Sequence, residues 1–355
     1  MDPKEVLAYL RSPEAVREQA TFLLALAKKD QLSHFSFHED KVGPTADYVI
    51  KVIRENYPTL DVPFHSRWRH FDAGGVDRNA RLDEKLQGRT LEEIARAKIE
   101  LAIVSVLLDA GAGSQWQFKE EDSGKSYGRS EGLAVASWHM FVDGGFASDP
   151  DQPLMVDQLG LTNLDRKTLS AYFQVGPANP LLGFDGRLNL LHKLANVMGQ
   201  QKKYFTADGI VRLGGLFDYF DSVSANGKIS SRKLLITILD ALGGIWPGRI
   251  NLHGKNLGDV WVHSRIPEDS LAAGFMPFHK LSQWLTYSIM EPLQECGLEV
   301  TSLDEMTGLA EYRNGGLMID SGLLTVKNKD ALKDKHKPDS ELIVEWRALT
   351  VALLD

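Results

Sequence analysis

The stretch "TLEEIARAKIELAIVSVLLDAGAG", Thr90 to Gly113, decides the class of fold. Leu91, Ile94, Ile99, Ile103 and Val106 recur at helical period and form much of one apolar face, and Gly111 and Gly113 supply a stop signal. The same period returns in "PEAVREQATFLLALAKK", where Pro13 suits a first helical turn, and in "LAVASWHMFV", "GRLNLLHKLANVM", "ISSRKLLITILDAL", "PFHKLSQWLTYSIMEPLQEC" and "SELIVEWRALTVALL". Strand signals are few. "LTVKN", from Leu324, reads as a short strand, and nothing alternates strand with helix as a parallel sheet requires. The expectation is a mainly α, multi-helix globular protein with few short strands.

Composition bounds the function. The chain has 355 residues, 43% hydrophobic and 25% charged, which is enough to build one large core or two smaller ones. Forty basic against forty-eight acidic side chains leave a formal charge of -8, which disfavours a nucleic acid partner but allows a small anionic ligand held by a few local arginines. No apolar run approaches the roughly 20 residues that span a bilayer, and "MDPKEVLAYL" is acidic where a signal peptide is basic, so a cytoplasmic location without membrane partners is expected. The single cysteine, Cys296, rules out an internal disulfide framework and reads as a small buried hydrophobe. The Gly- and charge-rich "FKEEDSGKSYGRSEG" divides an N-terminal helical part, 1–129, from a longer part, 130–355, although it also reads as a functional loop over one core.

Three fragments imitate known motifs. "GAGSQW" has Trp116 where a dinucleotide fingerprint needs its third glycine, and "DSGKS" has Lys119 where a P-loop needs its first. "GRSEG" satisfies the nucleophile-elbow pattern at Ser130, but the charged residues before it argue against a buried strand. Ser130 and Glu131 read better as the start of the helix that follows, where free backbone N–H groups cap the chain or hold an anion or sugar hydroxyl. No pair of histidines has metalloprotease spacing, so no metal is expected.

Two segments concentrate chemistry. In "SRWRHFDAGGVDR", Arg67, Arg69, His70 and Arg78 surround aromatic residues and a glycine pair, a composition that suits two-pronged phosphate recognition as well as an ordinary basic surface. In "MPFHKLSQWLTYSIMEPLQECG", a helix from near Pro277 to before Gly297 gives an apolar stripe of Phe278, Leu281, Leu285 and Ile289. A second stripe holds Lys280, Gln283, Tyr287 and Glu291, and its plainest reading is a solvated face. Ser302 and Glu305 have capping-box spacing, predicting a short helix through "MTGLAEYR" that breaks at Asn314, Gly315 and Gly316, with a further turn in "LMIDSGLL". That places Glu311, Arg313 and Asp320 together among apolar residues, where charges must pair or serve a site.

The strings "HSRWRHFDAGGVDR", "SEGLAVASW", "GFDGR", "PFHKLSQWLTYSIMEPL" and "TGLAEYRNGGLMIDSGLL" together resemble, over nearly the whole chain, the uncharacterised-domain family of the fungal and bacterial uracil catabolism pathway. That pathway passes through a ribosylurea-type intermediate and ends in urea. More distantly, "FHKLSQ" and "EYR" are similar to two motifs of the queuosine 5'-phosphate hydrolases, helical relatives of DNA glycosylases, with Glu311 standing where that family has aspartate. The resemblance implies a glycosylase-like C-terminal part without a cofactor. It also implies hydrolysis of the N-glycosidic bond of ribosylurea or its 5-phosphate, a small ribosylated substrate. In that scheme Glu311 stabilises the sugar cation, Arg313 holds Glu311 and Asp320 is the acid. Lys280, Gln283, Tyr312 and Asn314 contact substrate, with Arg67, Arg69, His70, Arg78, Ser130, Glu131 and Trp138 contributing from elsewhere. Two other classes stay open: a metabolite-binding pathway partner without catalysis, and an amidase using Ser130.

Overall fold

The structure is a computed structural model that describes residues 2–247 and 250–355. It is mainly α, as the periodicity predicts, and the seven longer helices expected from the sequence form: Pro13–Ala27, Leu91–Leu108, Arg129–Val142, Phe184–Gln200, Ser231–Leu242, Lys280–Glu295 and Glu341–Leu354. Among the described residues the strands have two or three residues each and pair only two by two. The predicted strand at "LTV" is Leu324–Val326, antiparallel to Phe35–Phe37. Among the described residues no helix is long and apolar enough to cross a membrane.

The chain forms two compact units that are interleaved in sequence. One comprises Met1–Pro63, Trp246–Gln283 and Ser302–Asp355, and the other Phe64–Ile245 and Trp284–Thr301. The position between 129 and 130 falls inside the second unit, in the first turn of Arg129–Val142.

In the first unit the helices Pro13–Ala27 and Glu341–Leu354 pack together. Ser12 caps the former by accepting from the Ala15 amide at 3.2 Å, and Pro13 occupies the first turn, where no donor is lost. Val16, Ala20 and Leu23 face Val344, Ala348 and Leu349 in a core that also takes in Phe35, Met276, Phe278 and Met318.

The second unit is built around Leu91–Leu108, every residue of which from Ala95 to Leu108 is buried. The one-sided apolar face expected of this helix is therefore incomplete as a description. Leu91 is 51% exposed because it sits in the first turn, while Arg96, Lys98 and Glu100 are buried. An isolated buried carboxylate is costly. Glu100 accepts from Arg212 Nε at 2.8 Å, Arg212 NH2 at 3.1 Å and the amides of Val156 (3.0 Å) and Gly214 (2.7 Å), so its lone pairs are filled.

Candidate functional site

The first unit brings Lys280 and Glu311 together. The strand Phe275–Pro277, antiparallel to Val260–Val262, leads into Phe278 and His279, and the helix starts at Lys280, three residues later than its periodicity predicts. The delay has a cause. His279 takes a left-handed backbone, φ 48, which strains any residue with a Cβ and cannot belong to the helix. Its ring is buried and Nε2 donates to the Leu10 carbonyl at 2.7 Å, and burial shifts its pKa down, keeping it neutral.

Asp259 fixes the start of the helix. Its carbonyl accepts from the amides of Phe278 (2.9 Å) and His279 (3.3 Å), and its Oδ2 accepts from the Lys280 amide at 3.0 Å. Arg347 grips the same carboxylate with two bonds, 2.9 and 2.8 Å, and Trp261 Nε1 adds a third donor at 2.6 Å. Burial pushes the Asp259 pKa up, but Arg347 and the other donors outweigh it and hold the carboxyl well below the usual range.

Glu311 arrives by a different route from the one the sequence suggests. Ser302 lies in a left-handed conformation, a single 3-10 turn covers Leu303–Glu305, and no helix runs through "MTGLAEYR". Instead the helix is Tyr312–Asp320, with Gly315 and Gly316 inside it and Glu311 at its N-cap. The glycines do not break the helix because one of them serves packing. A Cβ on Gly315 would lie 2.8 Å from Trp346 Cε2 and Cζ2, and Trp346 Nε1 donates to the Gly315 carbonyl at 3.1 Å. Gln283 ties this segment to the first turn of Lys280–Glu295. It is buried, its Nε2 donates to the Phe278 carbonyl (3.0 Å) and Thr307 Oγ1 (2.9 Å), and its Oε1 accepts from the Thr307 amide at 3.2 Å. Gln283 is thus occupied by the protein itself, and the stripe read as a solvated face is buried at this position.

Lys280 Nζ lies 2.9 Å from Glu311 Oε2, and each side chain is 31% exposed. Both sit at helix N-termini. An anion is favoured there and a cation is not, so stability alone does not account for Lys280. The pair is a charge-assisted hydrogen bond that leaves the other two ammonium N–H bonds and the second carboxylate oxygen for a ligand.

Other expected members stand apart from this pair. Tyr312 is 82% exposed, and Arg313 and Asp320 are exposed as well. Glu311 is held by Lys280, not Arg313. Asp320 lies exposed at the far end of its helix. Asn314 donates to the Leu309 carbonyl at 3.1 Å, which shapes the loop before the helix.

The arginines of "SRWRHFDAGGVDR" belong to the second unit, and each already holds a carboxylate. Arg67 is fully buried and donates to Ser105 Oγ (2.6 Å), Asp109 Oδ2 (2.9 Å) and the Ser130 carbonyl (3.0 Å). Arg69, half exposed, pairs with Glu291. Arg78 is buried on Glu120, with bonds of 2.8 and 2.6 Å, and also donates to the Phe71 carbonyl at 2.7 Å. Burial, then the neighbouring Arg67, pushes His70 down to about 4, so it is neutral near pH 7. These contacts build the fold of the unit, and only Arg69 keeps an open face for an anion.

At "GRSEG" the strand that the upstream charge argued against does form. Gln117–Lys119 and Ser126–Gly128 make a hairpin, Arg129 turns with φ 52, and the helix Arg129–Val142 begins. Ser130 Oγ donates to Asp109 Oδ1 at 3.1 Å, and Glu131 is exposed on the first turn. Trp138 is buried, and among the described residues its indole N–H has no hydrogen-bond partner. Cys296 is buried, which raises its thiol to about 11 and makes it inert as a nucleophile.

Asp259, Arg347, His279 and Thr307 escaped the sequence reading. Asp259 and Arg347 stand 88 positions apart with no shared motif. His279 adjoins Lys280, but nothing local marks its left-handed backbone.

Comparison with known proteins agrees with this extent of likeness. The chain is 38% identical over 357 residues to Protein urg3 of Schizosaccharomyces pombe (strain 972 / ATCC 24843), covering 99% of this chain and 85% of that protein. It is 36% identical over 382 residues to Uracil catabolism protein 4 of Lachancea kluyveri, covering 98% and 87%. A family profile described as "Protein of unknown function (DUF1688)" matches residues 9–355, and the chain belongs to that family.

Proposed function

We propose that this chain acts in uracil catabolism and hydrolyses the N-glycosidic bond of ribosylurea or its 5-phosphate, giving urea and ribose or ribose 5-phosphate. The name of the Lachancea kluyveri relative supports the pathway. The observation that carries the chemistry is the accessible Lys280–Glu311 pair. As the bond from C1 of the sugar to the urea nitrogen breaks, its electrons leave with nitrogen and positive charge develops on the ring. A fixed carboxylate stabilises that charge more in the transition state than in the substrate.

Glu311 faces the anomeric carbon and takes a proton from the attacking water. Lys280 gives a proton to the departing nitrogen, a role that exposed Asp320 is poorly set to fill. The two residues then exchange a proton across their hydrogen bond, which restores both. One water is consumed and no other reactant is needed.

A second reading has one observation in its favour, the strand, left-handed turn and helix around Ser130, which is the setting of an amidase nucleophile. Against it, the Ser130 hydroxyl is donated to Asp109, a weaker base than histidine.

The test is incubation of purified protein with ribosylurea and with its 5-phosphate, with products identified by mass. Glu311→Gln is expected to lower urea release by about 10²- to 10⁴-fold without changing the thermal midpoint. Full turnover by that variant, or loss of turnover in Ser130→Ala with Glu311→Gln active, removes Glu311 from the mechanism.

A further inference from the structure

The segment from 42 to 62 carries an unusual density of uncovered apolar side chains. Tyr48, Ile50, Val52, Tyr57, Leu60 and Val62 are all exposed, and the helix Val42–Asn56 fully buries only Thr45. At 100° per residue Ile50 stands on a different side of the helix from Tyr48 and Val52, so it is the apolar centre of a stripe of its own. Asp47 and Glu55 balance Lys51 and Arg54, so the charge of the helix is zero. That balance suits neither an anionic membrane surface nor a nucleic acid.

One stripe of the helix is nearly symmetric about its middle. Gly43, Asp47, Ile50 and Arg54 follow at spacings of four, three and four, Tyr57 is the C-cap three positions further on, and all five are exposed. A Cβ on Gly43 would meet nothing within 4 Å, so the stripe is open at that end. Lys51 and Glu55 pair within the helix at 3.9 Å, whereas among the described residues Asp47 and Arg54 have no ion-pair partner. Two such helices laid antiparallel on a two-fold axis at Ile50 bring Asp47 against Arg54 of the partner subunit, and Arg54 against Asp47 of the partner subunit. The same register sets Tyr57 over Gly43 of the partner subunit. In a two-fold interface each contact occurs twice, so a pattern that complements its own reverse is what self-association requires.

We propose that the helix Val42–Asn56 is the surface on which this chain binds a second copy of itself, antiparallel, with Ile50 at the centre and the Asp47–Arg54 pairs on either side. The proposal is independent of the reaction assigned above.

Analytical ultracentrifugation of the purified full chain across a concentration series tests it. The unaltered chain is expected to be a dimer and Ile50→Glu a monomer. Asp47→Arg and Arg54→Asp each place like charges together twice and weaken the dimer about tenfold, and the double reversal restores it. Circular dichroism confirms folding, since all three positions are exposed. A monomeric unaltered chain at about 50 µM, well above the Kd of a specific dimer, overturns the proposal, and so does an Ile50→Glu dimer. A double reversal no better than the single ones overturns the antiparallel pairing.

Discussion

Lys280 Nζ and Glu311 Oε2 meet at 2.9 Å in the first unit, where the helices Lys280–Glu295 and Tyr312–Asp320 begin. The cation lies at the end of a helix that disfavours it, and it is kept there by Asp259 on its own amide and by the strained His279 before it.

This arrangement separates charge from proton transfer. Lys280→Arg keeps a cation beside Glu311 but cannot give up a proton, so kcat for urea release is expected to fall by at least about 10²-fold while KM stays within a few-fold. Lys280→Met is expected to raise KM as well. Steady-state kinetics on both variants check this, and a Lys280→Arg enzyme with normal kcat would exclude Lys280 as the proton donor.

The adjacent glycines of Tyr312–Asp320 should respond in opposite ways. Gly315→Ala drives a methyl group into the Trp346 indole and is expected to destabilise the protein by about 1–3 kcal/mol. A Cβ on Gly316 meets nothing within 4 Å, and Gly316→Ala is expected to stabilise by about 0.5–1 kcal/mol through helix propensity. Urea denaturation midpoints measure both, and equal effects would mean that the close approach of Trp346 is not felt.

Glu120 links stability to acid. Burial raises its pKa, but hydrogen bonds from Arg78, Ser123 and His139 outweigh that and bring it from 4.5 down to about 2. With the folded value below the unfolded one, the stabilisation is complete above the unfolded pKa. It is lost as pH falls from about 4.5 toward about 2. Glu120→Gln is therefore expected to be much less stable than the parent at pH 7, with the gap narrowing across that window. Denaturation at several pH values tests the sign, and a gap independent of pH would contradict it.

The helices were legible because burial of one face imposes a 3.6-residue period on sequence, and this held even where a helix proved buried all round, as in Leu91–Leu108. Lys280 and Glu311 both stand out in the sequence, but not as an ion pair. Glu311 was expected beside Arg313, its sequence neighbour, whereas the partner that reaches it is 31 positions away. The glycine pair misled because Gly315 usually signals a break, and only the approach of Trp346 shows why glycine is needed inside that helix.

The sequence by itself determined which segments are helical, that the fold is mainly α, and which family the chain resembles. These properties reside in local periodicity and in the identity of consecutive residues. Tertiary structure alone decided the partners of the charges: Lys280 with Glu311, Arg347 with Asp259, and Arg67 and Arg78 with Asp109 and Glu120. A guanidinium or ammonium group binds whichever carboxylate folding brings within about 3 Å, and that distance depends on how remote segments pack, which no local pattern records.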